Sequence, residues 1–294
     1  MNYKFIILLI IIPILLYFYY IKNETFNNKI IQNKPYIWMY WENYPGKTRP
    51  VYLDICLETI QKNCSRDFNI VVLDEILVYN YLPNLRKDLS DKLNINQKTD
   101  IIRIELLYKY GGIWMDFDTI VTRNLLPIIK KLKKWDFVGF GCHTGYNCSN
   151  GHPKPANWVM ASNKNTELMK IIKETQNKIF QLYTKDQLKI NYHILGRTTL
   201  WNTIQYLQQH NNWDYYHWDS KCLERDSIGN KLRNNRTISN EDIDKKCLSR
   251  MLFVPIYNSA PGFPKWFLKL TRQQLLNSDM LISKLFRLSL GIKN

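Results

Sequence analysis

The sequence lacks the patterns that mark several common classes of protein. Its cysteines never occur as Cys-x-x-Cys, which argues against a structural zinc site. It contains no phosphate-binding P-loop, and no period of 20–50 residues repeats, so a P-loop enzyme, a solenoid and a propeller are not predicted. What remains is a chain of 294 residues that is 45% hydrophobic, enough for one large α/β domain or two small ones.

Acidic residues are scarce, with 25 Asp and Glu against 41 Lys and Arg and a net charge of +16. Such a charge suggests a polyanionic partner, which could be nucleic acid, an acidic lipid surface or a nucleotide. The lysines are scattered along the chain, however, and no zinc-finger, RNP or basic-zipper pattern accompanies them. We therefore predict no nucleic-acid partner.

The N-terminal segment contains a run of 17 residues without a charge, residues 5–21, at the short end of what a transmembrane helix needs. No A-x-A-like cleavage pattern follows it, so we predict an uncleaved signal anchor, with a cleaved signal peptide as the alternative. The prediction is a single-pass type II membrane protein whose main domain lies in the lumen of the secretory pathway. Its parts would be a tail (1–4), a transmembrane anchor (5–21), a stem (22–34) and the main domain (35–294).

Four Asn-x-Ser/Thr sequons are consistent with a luminal domain, although several could arise by chance in so Asn-rich a chain. They begin at Asn23, Asn63, Asn147 and Asn235. The six cysteines allow up to three disulfides in 15 connectivities, and buried thiols are the alternative. If disulfides form, the pairs closest in sequence are the natural candidates: Cys56/Cys64, Cys142/Cys148 and Cys222/Cys247.

The sequence pattern at the start of the main domain predicts a β-α-β unit. Strands at 36–41 and 69–73 flank a helix at 51–62, and this order implies a parallel sheet. Open parallel sheets bind ligands at the carboxyl ends of their strands, near a switch in strand order. Tyr40–Glu42 and Asp74–Glu75 occupy such positions.

A second predicted helix, 100–110, leads into the residues with the clearest chemistry. Thr99 is its expected N-cap, the Gly111-Gly112 pair ends it, and its apolar circumference predicts burial. Asp100 and Arg103 are three residues apart and share one face. A short strand, 113–115, then ends on Asp116-Phe117-Asp118.

Two carboxylates one residue apart at a strand end can point toward one hard cation, Mn²⁺ or Mg²⁺. Such a cation neutralises charge that develops on a nucleoside diphosphate leaving group. The D-x-D pattern alone is weak, because Asp242-Ile243-Asp244 repeats it in what we interpret as a surface turn. The preceding helix, Gly-Gly pair and strand distinguish the first copy.

The segment Thr99–Asp118, together with the aromatic strand Ile37–Glu42, resembles the DXD-motif sugar transferases. That family includes the capsular polysaccharide synthesis proteins, the yeast initiating mannosyltransferase type and the glucosylating bacterial toxins. The resemblance covers roughly residues 35–120. It implies a GT-A fold with a Rossmann-like, mostly parallel sheet, a UDP- or GDP-sugar donor, a glycan, protein or lipid acceptor, and retention of anomeric configuration.

The resemblance also implies roles for individual residues. Asp100 and Arg103 would contact the donor, with Arg103 near its sugar or diphosphate. Asp116 would contact the sugar or ribose and the metal, and Asp118 would bind the metal more directly. Asp116, Asp118 and Arg103 would thus be the catalytic residues.

The aromatic first strand would lie against the nucleotide base through Trp38, Tyr40 or Trp41, and ordinary core packing is the alternative. Two positions depart from the usual pattern. Thr99 replaces a serine and keeps its hydroxyl, whereas Phe117 is bulkier than the residue usually found between the aspartates, which affects the shape of the donor pocket.

Further along the chain the candidates are less specific. Residues 139–155 are placed where such folds shape the acceptor side, and His143 and His152 are candidate acceptor contacts. Arg197, in a glycine-centred turn before a helix, is a candidate phosphate contact. A third metal ligand is expected from residues 255–265, with Asn258 or Ser259 conceivable.

Two other functions use similar features. A Mg²⁺-dependent phosphoryl-transfer enzyme or nuclease also uses paired aspartates, but it would want further carboxylates at the site. A non-catalytic, membrane-tethered glycan-binding protein with a degenerate transferase fold is the second alternative. The complete set of Asp100, Arg103, Asp116 and Asp118 argues against it.

Overall fold

The computed structural model describes residues 34–43, 48–141, 154–219, 251–256 and 263–292. The strands and helices described below all lie in one compact unit, Tyr36–Asn294. The strands are β1 (Tyr36–Tyr40), β2 (Asn69–Leu73), β3 (Gly112–Met115), β4 (Thr119–Val121), β5 (Phe137–Gly141), β6 (Ala156–Ser162), β7 (Tyr216–Asp219) and β8 (Phe253–Pro255). The α-helices are α1 (Val51–Cys64), α2 (Val78–Tyr81), α3 (Leu89–Lys92), α4 (Ile95–Tyr110), α5 (Leu126–Leu132), α6 (Glu167–Leu182), α7 (Lys185–Ile190), α8 (Thr199–His210), α9 (Arg272–Asn277) and α10 (Leu281–Leu290).

Six strands form the central sheet in the order β2-β1-β3-β6-β5-β7. Strands β2, β1 and β3 run parallel to one another, as do β5 and β7, and β6 is antiparallel to both of its neighbours. The predicted α/β fold with a mostly parallel sheet is therefore confirmed. Strands β4 and β8 form a separate antiparallel pair.

The strand order reverses at β1, because β2 lies on one side of it and β3 on the other. The connection from β1 to β2 runs through α1 in one core, and the connection from β2 to β3 runs through α4 in the other, which opens a crevice beyond the carboxyl ends of β1 and β3. This is the predicted switch point. Asp74, at the end of β2, instead accepts hydrogen bonds at Oδ1 from the backbone N–H groups of Ile76 and Leu77, at 2.9 and 2.7 Å.

The sheet separates two hydrophobic cores. Alternate residues of β1 enter opposite cores, since successive strand side chains point to opposite faces. Ile37 and Met39 pack with α1 and the C-terminal helices, whereas Trp38 and Tyr40 pack with α4, α6 and α8. Both faces of the central strands are thus covered, as is usual for parallel sheets.

Helix α4 begins one turn earlier than predicted. Asn94 is its N-cap, and the side chain accepts a hydrogen bond from the backbone N–H of Gln97 at 3.0 Å. The prediction of Thr99 as N-cap is wrong, because its hydroxyl donates to the carbonyl of Ile95 inside the helix at 2.7 Å. The predicted end is confirmed: Gly111 has a φ of +68°. A side chain at Gly112, with a φ of +98°, would collide with the Tyr36 carbonyl oxygen, so β3 starts directly against β1.

The C-terminal helices fasten α1 to the end of the chain. Arg272 of α9 forms a two-pronged ion pair with Glu58 at 2.5 and 2.7 Å. The Lys62 ammonium donates to the carbonyl of Leu290, and the Asn63 amide donates to the carbonyl of Ser289 at 3.2 Å. Helix α1 is thus held by residues more than 200 positions away.

The side-chain amide of the sequon residue Asn63 is used in hydrogen bonds within the fold. Besides Ser289, its amide donates to the carbonyls of Thr59 and Val121 at 2.8 and 3.0 Å. A glycan on this nitrogen would break bonds that join α1 to β4 and α10, so Asn63 does not support a luminal location. The other three sequons lie outside the described residues.

The fold and localisation predictions are wrong in one respect, the membrane span. In the described part of the chain, no helix has the length and apolar character needed to cross a membrane. The longest described helices, α4 and α6, have 16 residues each, or about 24 Å against a hydrocarbon core of about 30 Å. Residues 5–21 lie outside the described residues. We therefore withdraw the transmembrane helix and the type II single-pass localisation.

The suggested disulfide between Cys56 and Cys64 is also wrong, because both cysteines are free and buried. They lie eight residues apart on α1, which separates their Cα atoms by about 12 Å along the axis, beyond the reach of about 7 Å for a disulfide. Burial raises the pKa of the Cys56 thiol, and the negative charges of Asp118 and Asp54 add to the rise. Burial also raises the pKa of Cys64, to about 12. The remaining four cysteines lie outside the described residues.

Candidate functional site

A cavity of about 370 Å³ opens at the switch point, beyond the carboxyl ends of β1 and β3. One wall comes from the segment after β1, a second from one face of α4, and a third from the Asp-Phe-Asp segment after β3. The lining residues are Tyr40, Trp41, Glu42, Thr48, Pro50, Leu53, Ile95, Asn96, Thr99, Arg103, Trp114, Asp116, Phe117, Asp118, Thr119, Trp158 and Pro255.

The centre of the site is the guanidinium of Arg103, which lies between two carboxylates. Its Nη2 atom is 3.3 Å from Oδ1 of Asp100 and 3.5 Å from Oδ1 of Asp116. The side chains of Arg103 and Asp100 are 6% and 10% exposed, whereas that of Asp116 is 34% exposed. The structure therefore brings three predicted site residues together, with Asp116 presented to solvent and the other two behind it.

Further contacts fix the orientation of Arg103. Its Nη1 atom donates to the carbonyl of Asn157, at the start of β6, and its Nε atom donates to the carbonyl of Thr99 at 3.3 Å. The guanidinium also lies over the ring of Trp114, 5.1 Å from its centre. Because a planar guanidinium has its donors in a rigid fork, these contacts leave it one orientation.

Asp100 is buried beneath Arg103 and is held from two sides. The Asn157 amide donates to Oδ1 of Asp100 at 2.8 Å. The buried Gln176 of α6 donates to the backbone carbonyls of Asp100 and Leu195, at 2.9 and 2.6 Å. These bonds join α4, α6 and the turn at 194–198 around one carboxylate.

Gly196, in that turn, is a site residue that sequence reasoning missed. An added Cβ would lie 2.4 Å from Oδ2 of Asp100 and 2.5 Å from Nδ2 of Asn157. The turn can therefore reach the Asp100 carboxylate only because residue 196 has no side chain. The motif at 193–199 indicated a glycine-centred turn, but nothing in the sequence indicated that it contacts Asp100.

Burial raises the pKa of Asp100 from 3.8 to about 6, more than the positive charge of Arg103 lowers it. The carboxylate of Asp116 adds to the rise, and the hydrogen bond from Asn157 opposes it. Burial likewise raises the pKa of Asp116, against the lowering effects of Arg103 and of the Trp114 indole. The two carboxylates share the positive charge of Arg103.

The raised pKa of Asp100 predicts a pH dependence of stability. The folded chain binds this proton more tightly than the unfolded chain, so the contribution is full below about pH 4 and is lost as pH rises through about 6. Relative to Asp100→Asn, the wild type should lose up to about 3 kcal/mol of unfolding free energy over this range. Urea unfolding at about pH 4, 5, 6 and 7 measures the difference between the two proteins. A difference that stays constant with pH contradicts the prediction.

Asp116 and Asp118 form the cavity wall that could hold a cation. The Trp114 indole donates to Oδ1 of Asp116 at 2.9 Å, and the backbone of each aspartate is tied down: Asp116 N–H donates to the Trp158 carbonyl at 2.8 Å, and the Asp118 carbonyl accepts from Ile256 at 2.9 Å. Carboxylate oxygens suit Mn²⁺ and Mg²⁺. In the described part of the chain no cluster of three or more Asp, Glu, His or Cys side chains could hold a metal. Two carboxylates on the cavity wall fit a cation that completes its shell with donor oxygens or water.

The predicted aromatic residues divide between the cavity and the core. Tyr40 and Trp41 line the cavity. Trp38 is fully buried, donates its indole N–H to the Gly111 carbonyl at 2.9 Å and stacks on Tyr36. Trp38 thus holds the Gly-Gly turn and does not reach the cavity, so we propose no base contact for it.

Glu42 lines the cavity beside Tyr40 and Trp41 and was noted in the sequence only as a strand-end position. Its carboxylate pairs with Nζ of Lys98 at 3.2 Å and accepts a hydrogen bond from the Tyr40 hydroxyl at 3.3 Å. Burial raises the pKa of Tyr40, and the negative charge of Glu42 adds to the rise. Phe117 is buried between Trp41 and the guanidinium of Arg49, so its bulk shapes the cavity from behind.

The remaining candidates are not brought to the cavity or are not described. Arg197 lies over the ring of Trp201, 4.9 Å from its centre, and does not line the cavity. His143, His152, Asn258 and Ser259 lie outside the described residues.

The side chain of Asn157 offers a test of this arrangement. We expect Asn157→Ala to lower catalytic efficiency about tenfold, because a hydrogen bond to a charged group is worth roughly 1.5–3 kcal/mol and Asp100 loses its fixed position. Asn163→Ala, at the other end of β6, removes amide bonds to the carbonyls of Leu132 and Trp135 without touching the site. Steady-state kinetics and thermal midpoints of both variants distinguish the loss of the fixed position of Asp100 from a general loss of stability of the folded protein. Equal losses of activity in the two would contradict the prediction.

Comparisons with known proteins place these features in context. The sequence model of a family described as capsular polysaccharide synthesis protein matches residues 14–224. A search of curated proteins finds no match.

Several solved structures are similar at low identity. The PaToxG glycosyltransferase is 13% identical over 88% of this chain and 87% of its own, with a TM-score of 0.40. The glycosyltransferase GlyE of Streptococcus pneumoniae TIGR4 is 11% identical over 87% of this chain and 60% of its own, with a TM-score of 0.45. The galactosyltransferase LgtC, in complex with donor and acceptor sugar analogues, is 14% identical over 88% of this chain and 96% of its own, with a TM-score of 0.41. We base no argument on likenesses this distant.

Proposed function

Since the chain belongs to the capsular polysaccharide synthesis protein family, and is thereby a glycosyltransferase, we propose that it transfers a hexosyl group from a UDP- or GDP-sugar to a glycan or glycoconjugate. The observation that carries the proposal is the position of Arg103. It lies between Asp100 and Asp116, on the wall of a cavity that Asp118 also lines. A guanidinium next to carboxylates that can hold a metal ion, in one cavity, is what a nucleoside diphosphate requires.

Asp116 and Asp118 would hold Mn²⁺ or Mg²⁺. When bound, the metal ion supplies positive charge to the diphosphate leaving group. Arg103 supplies a second, permanent positive charge on the same side, because a guanidinium does not lose its proton in proteins. Asp100 and Asn157 keep that guanidinium in place, so it need not reorganise as negative charge develops.

The nucleotide base would lie at the other end of the cavity, against Tyr40 and Trp41. These two rings line the cavity beside Glu42, whereas the charged cluster lies at the end of β3. The cavity volume of about 370 Å³ is within the usual range for small-molecule sites of roughly 300–1,000 Å³.

Retention of anomeric configuration is part of the proposal. Inverting transfer needs a general base near the acceptor hydroxyl. Among the described lining residues the carboxylates are Glu42, Asp116 and Asp118, and Glu42 is paired with Lys98. With Asp116 and Asp118 assigned to the cation, we propose that the departing diphosphate helps to deprotonate the acceptor.

Turnover of a nucleotide-sugar panel tests the function. UDP- and GDP-linked hexoses are incubated with the protein and Mn²⁺ or Mg²⁺, and released nucleoside diphosphate is measured against inorganic phosphate. We expect one donor to give the nucleoside diphosphate in a metal-dependent reaction. Release of inorganic phosphate would favour the phosphoryl-transfer alternative. A panel with no turnover and no thermal stabilisation of the protein would overturn the proposal.

A further inference from the structure

Residues 190–193 form a short exposed segment that begins at the last residue of helix α7. Tyr192 is 39% exposed. The rings of Tyr192 and His193 meet edge to face, with their centres 4.9 Å apart. The segment therefore presents an aromatic pair at the surface.

The segment is fixed to the helix that forms the cavity wall. Gln97 of α4 donates from Nε2 to the carbonyls of Leu188 and Tyr192, at 2.7 and 3.5 Å. Its neighbour Asn96, which lines the cavity, donates its amide to the Tyr192 hydroxyl. The ring of Tyr192 is therefore held one hydrogen bond away from the cavity wall, and the hydroxyl keeps its own proton to donate.

The charges of the site reach Tyr192. Burial raises the pKa of its hydroxyl, and the hydrogen bond from the Asn96 amide opposes the rise. The negative charges of Asp100 and Asp116 raise this pKa further, and the positive charge of Arg103 lowers it. The pKa of His193 is lowered, first by burial and then by Arg197. The exposed segment thus carries no charge of its own near neutral pH and lies at the charged end of the cavity.

These properties select a class of ligand. An aromatic ring with a polar tip offers an apolar face together with a hydrogen-bonding group. A pyranose ring has the matching surface, with an apolar face of C–H groups and hydroxyls at its edge. The segment has no positive charge that would select an anionic acceptor.

We propose that Tyr192 and His193 form an acceptor platform that takes an uncharged pyranoside beside the cavity. This proposal rests on the proposed transferase function, because an acceptor must approach the donor at the charged end. The hydroxyl of Tyr192 would donate to an acceptor oxygen, and its ring would support the apolar face of the sugar.

Hydrolysis and transfer separate the platform from the donor site. Tyr192→Ala is assayed with the active donor, first alone and then with a panel of methyl hexopyranosides as acceptor probes. We expect donor hydrolysis to change by less than about twofold and transfer to fall at least about tenfold through the acceptor KM, because one ring contact and one hydrogen bond are lost. Tyr192→Phe, which keeps the ring, should recover part of the transfer. Tyr206→Ala is the matched control, since Tyr206 is 50% exposed, stacks on His210 and does not line the cavity.

Three results would overturn the platform. Equal losses of hydrolysis and transfer in Tyr192→Ala would give the residue a structural role and leave the transferase function standing. Saturation-transfer NMR with the same pyranosides tests the platform even if no donor is hydrolysed, in which case the proposed function fails separately. Pyranoside signals that are absent in the wild type, or undiminished in Tyr192→Ala, would reject the platform.

Discussion

Asp118→Asn is expected to abolish metal-dependent turnover of the nucleotide sugar. The substitution keeps the shape of the side chain and removes half of the paired negative charge that would hold the cation. We expect kcat to fall by at least about 100-fold, the loss typical of removing an electrostatic partner of the leaving group. The thermal midpoint should be nearly unchanged without metal, and the stabilisation by Mn²⁺ should disappear.

Asp186→Asn is the matched control for this prediction. Asp186 is exposed on α7 and does not line the cavity, so the same loss of one charge should leave turnover and the response to Mn²⁺ unchanged. Nucleoside diphosphate release and thermal shift are measured for both variants over a series of Mn²⁺ concentrations. If Asp118→Asn retained wild-type turnover, the assignment of the cation to this wall would be wrong.

Gly196→Ala is expected to lower turnover strongly. The new Cβ would lie within 2.6 Å of the Asp100 carboxylate and the Asn157 amide. Asp100 cannot move freely, because Asn157 and Arg103 hold its side chain and Gln176 holds its backbone. Either the turn or the carboxylate must shift, and a shift of about 1 Å in a catalytic site can cost about 100-fold in rate. The cost in stability should be smaller, about 1–3 kcal/mol.

Gly291→Ala distinguishes this effect from a general loss of stability. Gly291 ends α10 with a φ of +64°, and its Cβ would meet only the end of the flexible Lys62 side chain. We expect a stability loss of about 1–2 kcal/mol from the left-handed backbone and no change in kcat. Circular dichroism, urea unfolding and initial rates are compared for both glycine variants. A Gly196→Ala protein that is as active as Gly291→Ala would remove Gly196 from the site.

The order of elements around Asp116 was predictable because short sequence patterns determine it. Gly111 and Gly112 end one element and begin the next, and the apolar run between them and Asp116 forms a strand. The shared face of Asp100 and Arg103 follows from helical spacing alone. That these residues share one site with Asp116 was implied only by the resemblance to the DXD-motif sugar transferases.

The failures came from interactions between distant residues. The first turn of α4 was missed because Gln97 and Lys98 are polar, yet both are buried by contacts with Leu188 and Glu42. The role of Trp38 was set by the Gly111 carbonyl, 73 positions away. No periodicity encodes which turn packs against Asp100, so Gly196 and Asn157 could not be found from the sequence.

The attachment of α1 to the C-terminal helices has a consequence for how the chain acquires its shape. Bonds from Glu58, Lys62 and Asn63 reach residues 214–228 positions later. Helix α1 can form these bonds only after residues 272–290 have been synthesised, and closing so long a loop costs conformational entropy. The first β-α-β unit would therefore leave the ribosome with one side of its helix uncovered. Its completion should be a late and slow step in folding, during which chaperones can bind.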